Sequence, residues 1–220
     1  MEAQHKILTT LQVSNFEQQF TDLLKYLEAI QTNFEGGCIS SFLPSWESLT
    51  NDPEILQMVS GLHIEFNETP LQMGGIPTNA LLNNQLVVDN EIESLIRKKV
   101  IKLDSKEQGD FISPIFLRPK KDGTFRKILN LKKLNKFVKY HHFKMDTIWT
   151  AINMMRPNCF MASIDLKDAY YSVPICQDHQ KFLKFFWKGE YYKFLVFVNG
   201  LALCPRKFTK LLRPVYSFLT

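Results

Sequence analysis

Cysteine is scarce in this 220-residue chain and scattered: Cys38, Cys159, Cys176 and Cys204 never form a Cys-x-x-Cys pair. That spacing argues against zinc ligation and against a disulfide framework. No apolar run approaches the roughly 18 residues that cross a bilayer. The opening Met1-Glu2-Ala3-Gln4-His5-Lys6 lacks the basic-then-apolar pattern of a secretory leader. An intracellular protein with no membrane partner is expected. Each part of the chain is also short of charge of one sign. Residues 1–96 hold two basic residues, Lys6 and Lys25, against 13 acidic ones. Residues 97–220 hold 25 basic residues against nine acidic, and no Asp or Glu follows Glu190. The two parts thus carry −11 and +16 within a net charge of +5. A basic module joined to an acidic one is the electrostatic footprint of a nucleic-acid binder with a separate leader.

What is present suits a folded α+β protein. Hydrophobic content of 45% excludes wholesale disorder. A chain of this length can bury roughly 70% of its unfolded surface. Val13, Phe16, Phe20, Leu24, Leu27 and Ile30 recur at helical spacing over residues 10–31, ahead of Gly36-Gly37. Residues 36–88 are broken by Pro44, Pro53, Pro70, Gly74-Gly75 and Pro77. That punctuation predicts short helices, one from Pro53 to Val59, and extended stretches wrapping the basic part. Ile92, Leu95, Ile96 and Val100 make one face of a helix expected over 90–103. Asp122-Gly123 signals a hairpin whose first strand is an edge or ends at Pro119. A second hairpin is expected over 181–197, and a helix opened by Pro205 over 205–219. The adjacent His141 and His142 cannot easily face one ion and read as solvated or packed.

The richest segment is Phe160-Met161-Ala162-Ser163-Ile164-Asp165-Leu166-Lys167-Asp168-Ala169-Tyr170-Tyr171-Ser172-Val173-Pro174-Ile175-Cys176. An apolar strand delivers Asp165 to its end, and a tight turn carries Asp168 and two aromatics. A strand-end carboxylate suits a hard cation held against phosphates. An isolated Asp-x-x-Asp would more often be a strand followed by a capped helical turn.

Context tips the balance. Asp165 to Pro174 resembles the first catalytic motif of reverse transcriptases. Ser113 to Lys127, with Pro119-Lys120-Lys121-Asp122-Gly123, is similar to that family's fingers hairpin, and Leu129 to Asn135 to its sequel. Asn199-Gly200-Leu201-Ala202-Leu203-Cys204-Pro205 resembles the second palm motif. The likeness covers residues 97–220. Gly36-Gly37, Phe42-Leu43-Pro44, Thr50-Asn51-Asp52-Pro53, the Gly61 to Phe66 segment and His141 to Met145 resemble, more narrowly, the tyrosine-recombinase (DIRS-like) retrotransposons.

The resemblance implies a right-hand polymerase layout: residues 1–35 a helical segment, 36–96 an acidic linker region, 97–220 fingers and partial palm. It implies RNA/DNA template–primer and deoxynucleoside triphosphates as partners and Mg²⁺ as cofactor. The catalytic acid would be Asp165, with the Leu166 carbonyl as a second metal ligand. Lys120, Arg126, Asp168, Ala169, Tyr170 and Gly200 would line the nucleotide, Tyr170 as the wall that excludes a ribose hydroxyl. Lys121, Lys127, Lys132 and Lys133 would meet nucleic acid. Asn199 departs from the family's usual Phe or Gln. The family's second acidic motif, Tyr-x-Asp-Asp, does not occur among these residues, so a truncated domain is expected. The alternative is an inactive remnant that binds nucleic acid or a partner without turnover.

Overall fold

Pro53 and Asp52 show how the chain starts its helices. Proline presets the backbone angle of a first helical turn and has no amide hydrogen to leave unpaired. Asp52, in extended conformation, accepts a hydrogen bond from the Glu54 amide and so caps the helix Pro53–Gly61 (α2). A shorter helix, Leu43–Leu49 (α1), precedes it with Pro44 in its first turn. α2 buries Ile55, Met58 and Val59. Beyond it the chain runs extended, bridging through Leu62 to Ile175 and through Phe66 to Val138. The computed structural model describes residues 34–75, 77, 85–119, 125–145, 147–156 and 165–218. The chain divides into two units, Met1–Phe34 and Glu35–Thr220, and the description concerns the second. The helix expected over 10–31 and the strand expected over 160–164 lie outside the described residues.

The helix expected over 90–103 is instead Gln85–Arg97 (α3), with Val88, Ile92 and Leu95 buried. It stops because Lys99 takes a left-handed conformation, φ 54°. The next residues form strand Ile101–Asp104 (β1), which pairs antiparallel with Glu190–Phe194 (β5). Helical periodicity carried on through Val100, but tertiary pairing took the β-branched Val100-Ile101 segment away from the helix. β5 also pairs with Lys184–Trp187 (β4), giving a three-stranded sheet in the order β1-β5-β4. The two-residue loop between β4 and β5 is Lys188-Gly189, both at positive φ. That is the loop type whose twist matches a hairpin.

Ile115–Pro119 (β2) and Phe125–Leu129 (β3) form a separate antiparallel pair, with Pro119 opposite Phe125. Pro119 thus ends its strand, and the Asp122-Gly123 tip lies outside the described residues. Ile148–Met154 (α4) opens on a Thr147–Thr150 capping box. A short turn, Gln177–Gln180 (α5), leads into β4. Cys204–Phe218 (α6) closes the described chain. Met58, Val59, Leu62, Val88, Val100, Val173, Leu183, Phe185 and Phe197 are fully buried and form the core. No helix among the described residues is long and apolar enough to cross a membrane.

Buried charge interrupts this core at Lys184. The Lys184 ammonium, 1% exposed, lies 2.7 Å from Asp104 Oδ2 and 2.7 Å from Asp110 Oδ2. It also donates to the Ser105 carbonyl at 2.9 Å. Burial disfavours the charge, but the two carboxylates outweigh it and raise the lysine's pKa. Lys193, opposite Lys184 across the sheet, shares Asp104 at 3.2 Å. The cluster ties β1, β4 and the 105–110 loop together.

Candidate functional site

Asp165 is exposed at the start of its turn, as is Leu166. Among the described residues no ion pair engages the Asp165 carboxylate. Asp168 behaves differently. It sits in the left-handed region, φ 54° and ψ 23°, ahead of a 3₁₀ turn over Ala169–Ser172. Its side chain does not cap that turn; it is held by Lys98 Nζ at 2.5 Å, from the end of α3. Gly36 and Gly37 complete the fixture. The Gly36 amide donates to the Lys98 carbonyl at 2.7 Å, and the Gly37 amide to the Tyr171 carbonyl at 2.8 Å. A Cβ on Gly36 would stand 2.8 Å from the Lys99 carbonyl oxygen, and Gly37 has φ +76°, so both positions require glycine. None of Lys98, Gly36 or Gly37 was singled out as a site residue, because each acts through a partner distant in sequence.

The two tyrosines face different neighbours. Tyr170 packs edge-on against Phe208, 5.2 Å between centroids, and against Phe197 at 6.5 Å. Burial raises its phenol. Tyr171 is more deeply covered, and burial with Glu91 and Asp168 nearby pushes its phenol up to about 12. A hydrogen bond with Asn199 acts the other way. Asn199, the departure from the family pattern, thus joins the first motif to the second. Gly200 beside it has φ +97°. Its carbonyl accepts from Asn135 Nδ2 at 2.8 Å, while the Ala202 amide donates to Asn135 Oδ1 at 3.0 Å. One side-chain amide therefore pins both sides of the Asn199–Ala202 turn. The likeness of Leu129 to Asn135 flagged this segment but not this role.

Lys132 and Lys133 are exposed just before Asn135. Arg126 and Lys127 lie in β3, their backbones opposite Arg118 and Leu117. Lys120 and Lys121 lie outside the described residues. A groove of about 200 Å³ opens between Lys139–Phe143 and Ala202–Lys207, with Lys139, Tyr140 and Arg206 on its walls. The exposed Lys139 and Tyr140 beside the half-buried Arg206 and Phe143 set cations among aromatics, a mix that suits a nucleic-acid backbone and its bases.

Many of the leader's acids are spent internally. The Glu65 carboxylate binds the buried Lys207 Nζ at 2.5 Å and His141 Nε2 at 2.8 Å. The Lys207 hydrogen bond is the main cause holding the Glu65 carboxyl at about 2, with His141 adding to it and burial opposing. Lys210 likewise lowers Asp52, against burial. Carboxyls depressed in the fold stabilise it above their unfolded values, and that contribution is lost as pH falls through the folded ones. The urea midpoint is therefore expected to hold from neutrality to the ordinary carboxyl range near 4.5 and to decline toward about 2. Glu65→Gln should flatten part of that decline, as followed by circular dichroism at each pH. A midpoint that stays constant down to about pH 2 would count against the network.

Folding also brings together residues whose spacing argued against a metal set. Ligand atoms of His63, Cys176 and His179 lie within 4.8 Å of one another. The His179 Nδ1, however, accepts the Ile64 amide at 2.9 Å. The neutral ring then carries its proton on Nε2 and presents no second lone pair to a cation.

No family model matches the chain. Over 165 residues it is 24% identical to the transposon Tf2-7 and Tf2-3 polyproteins of Schizosaccharomyces pombe, covering 72% of this chain and 12% of theirs. The chain thus spans about an eighth of the length of these relatives. Its mixed helix-and-sheet fold resembles that of the foamy viral protease-reverse transcriptase dRH solved with double-stranded DNA. That match has a TM-score of 0.52 and 17% identity, and covers 79% of this chain and 34% of that one. A crystal structure of the prototype foamy virus protease-reverse transcriptase CSH mutant matches with a TM-score of 0.54 and 17% identity. It covers 74% of this chain and 21% of that one. The narrower resemblance to the tyrosine-recombinase (DIRS-like) group finds no support among these relatives, which are Tf2 transposon polyproteins and foamy viral enzymes.

Proposed function

We propose that these residues are the fingers and first palm segment of an RNA-directed DNA polymerase, part of a retrotransposon polyprotein. The carrying observation is the convergence of three motifs separated in sequence. Asn135 holds the Gly200 turn, Asn199 of that turn meets Tyr171, and Lys98 fixes Asp168 of the same loop. Polymerase chemistry needs such a junction, because the template, the nucleotide and the acid must be positioned against one another before reaction. The relatives named above support this reading.

Within it, the chain's own residues have separate tasks. Asp165, exposed and outside any ion pair among the described residues, offers hard oxygen ligands and fits Mg²⁺, with the Leu166 carbonyl beside it. When bound, the ion would neutralise phosphate charge and orient the reacting oxygens. Asp168, held by Lys98, keeps the loop's left-handed turn in place where it would line the nucleotide. Tyr170, braced by Phe208, forms the flat wall against the sugar. Lys120 and Arg126 supply the ammonium and the guanidinium fork that grip a triphosphate. Lys121, Lys127, Lys132 and Lys133 meet the template backbone.

Binding of single-stranded RNA tests the reading. If about four to six phosphates are engaged, the log–log salt slope of affinity is expected at roughly −3 to −5. Lys132→Glu with Lys133→Glu should weaken binding and flatten that slope. Fluorescence anisotropy across a salt series measures both. A flat dependence, or indifference to the charge reversal, would leave these lysines a merely solvated surface.

A further inference from the structure

Lys207, Lys210 and Arg213 lie one, four and seven positions after Arg206 on α6, so the four cations fall within one broad face of that helix. Two carboxylates from the start of α2 are seated on this ridge. Asp52 Oδ2 lies 2.8 Å from Lys210 Nζ. Glu54 binds Lys207 Nζ at 2.7 Å and Arg206 at 3.3 Å, and accepts a further hydrogen bond from Lys210. Lys207 is buried and also bridges to Glu65, so it anchors the fold. Arg206 and Lys210 are only partly covered, so their ion pairs stay within reach of water and of a competing anion. Arg213 is exposed and has no acidic partner among the described residues. A pocket of about 270 Å³ opens here, lined by Glu54, His142, Phe143, Arg206, Lys210 and Arg213. It holds three cations, one imidazole and one aromatic ring, and the anion at its edge belongs to the chain itself.

We propose that this pocket and the cationic face of α6 beside it are a second phosphate-binding site for nucleic-acid backbone, and that Glu54 at the pocket and Asp52 on Lys210 hold those cations in cis as stand-ins for phosphate. The inference rests on reading the chain as a nucleic-acid binder. Guanidinium and ammonium groups a few ångströms apart are the usual phosphate ligands. Two carboxylates reproduce the charge of two neighbouring phosphates. A strand that displaces them gains Arg206 and Lys210 together with Arg213, and Phe143 offers a face for a base. The acidic leader then does more than neutralise the basic part: it sets how much of that part is open to nucleic acid. α2 can release these contacts without unfolding, because Ile55, Met58 and Val59 hold it in the core.

The test is fluorescence anisotropy of labelled single-stranded RNA with the full 220-residue chain. In the Asp52→Asn/Glu54→Gln variant, affinity at low salt should rise roughly tenfold and the salt slope should steepen by about 1 to 2, one for each phosphate newly engaged. Asp52→Asn alone keeps a competent helix cap and the Glu54–Lys207 bond, and should show a smaller gain in the same direction. Adding Arg213→Glu, at an exposed position, should cancel the gain. Glu47→Gln/Glu93→Gln changes the charge equally at exposed positions that make no ion pair with α6 among the described residues, and should gain little. An equal gain in that control would overturn the proposal, since the general field would then suffice. No gain in either Asp52 variant would also overturn it while leaving wild-type binding, and so the proposed function, intact. Absence of binding in every variant would overturn both together.

Discussion

Lys184→Ala is expected to destabilise the fold by about 3 to 5 kcal/mol, the cost of leaving buried carboxylates without their cation. Lys184 is 1% exposed, and its ammonium is the shared partner of Asp104 and Asp110. Removing it strands Asp110, whose side chain is 2% exposed, in a region water reaches poorly. Urea denaturation followed by circular dichroism measures the loss as a lower midpoint. A double-mutant cycle with Asp110→Asn separates the pair from its surroundings: the second substitution should cost less in the Lys184→Ala background than alone. A loss below about 1 kcal/mol would mean that the cluster hydrates easily and is no part of the core.

Asp165→Asn is expected to abolish DNA synthesis in a polypeptide that carries these residues together with a second acidic motif. The amide keeps the shape of the side chain and loses the charge that a divalent cation requires. Loss of several kcal/mol of transition-state stabilisation corresponds to about 10³-fold or more in rate. Incorporation of deoxynucleotides on a primed RNA template with Mg²⁺ reads the effect. The substitution should leave nucleic-acid affinity and its salt slope unchanged, since Asp165 is exposed and outside any ion pair among the described residues. Synthesis that persists near wild-type levels would remove Asp165 from the chemistry. A parallel collapse of RNA binding would instead mark the residue as structural.

Several features of the fold were legible because they are local. Asp52-Pro53 announced a capped helix, and the helix runs Pro53–Gly61. The aromatic-rich runs on either side of Gly189-Glu190 announced a hairpin over 181–197, and β4 and β5 form it through Lys188-Gly189. Pro119 ends its strand. The miss at residues 98–104 was also local in origin. Helical periodicity reached Val100, yet a left-handed Lys99 and an open edge on β5 turned the following residues into β1. The candidate site was legible as motifs and not as a mechanism of assembly. Asp165, Tyr170 and Gly200 could be named from their strings. The holding roles of Lys98, Asn135 and the glycine pair Gly36-Gly37 could not, because each acts on a partner far away in sequence.

By itself the sequence determined the mixed helix-and-sheet class, the turn chemistry and the split of charge into an acidic leader and a basic remainder. Those properties depend on side chains a few residues apart. The tertiary structure alone decided where the charges go: Lys98 to Asp168 across 70 positions, Lys184 to Asp110 across 74, and Lys210 to Glu54 across 156. A lysine reads the same in sequence whether it faces solvent, a buried carboxylate or a phosphate. Only chain closure, repaid by core burial, brings a particular acid within reach and settles which of these it meets.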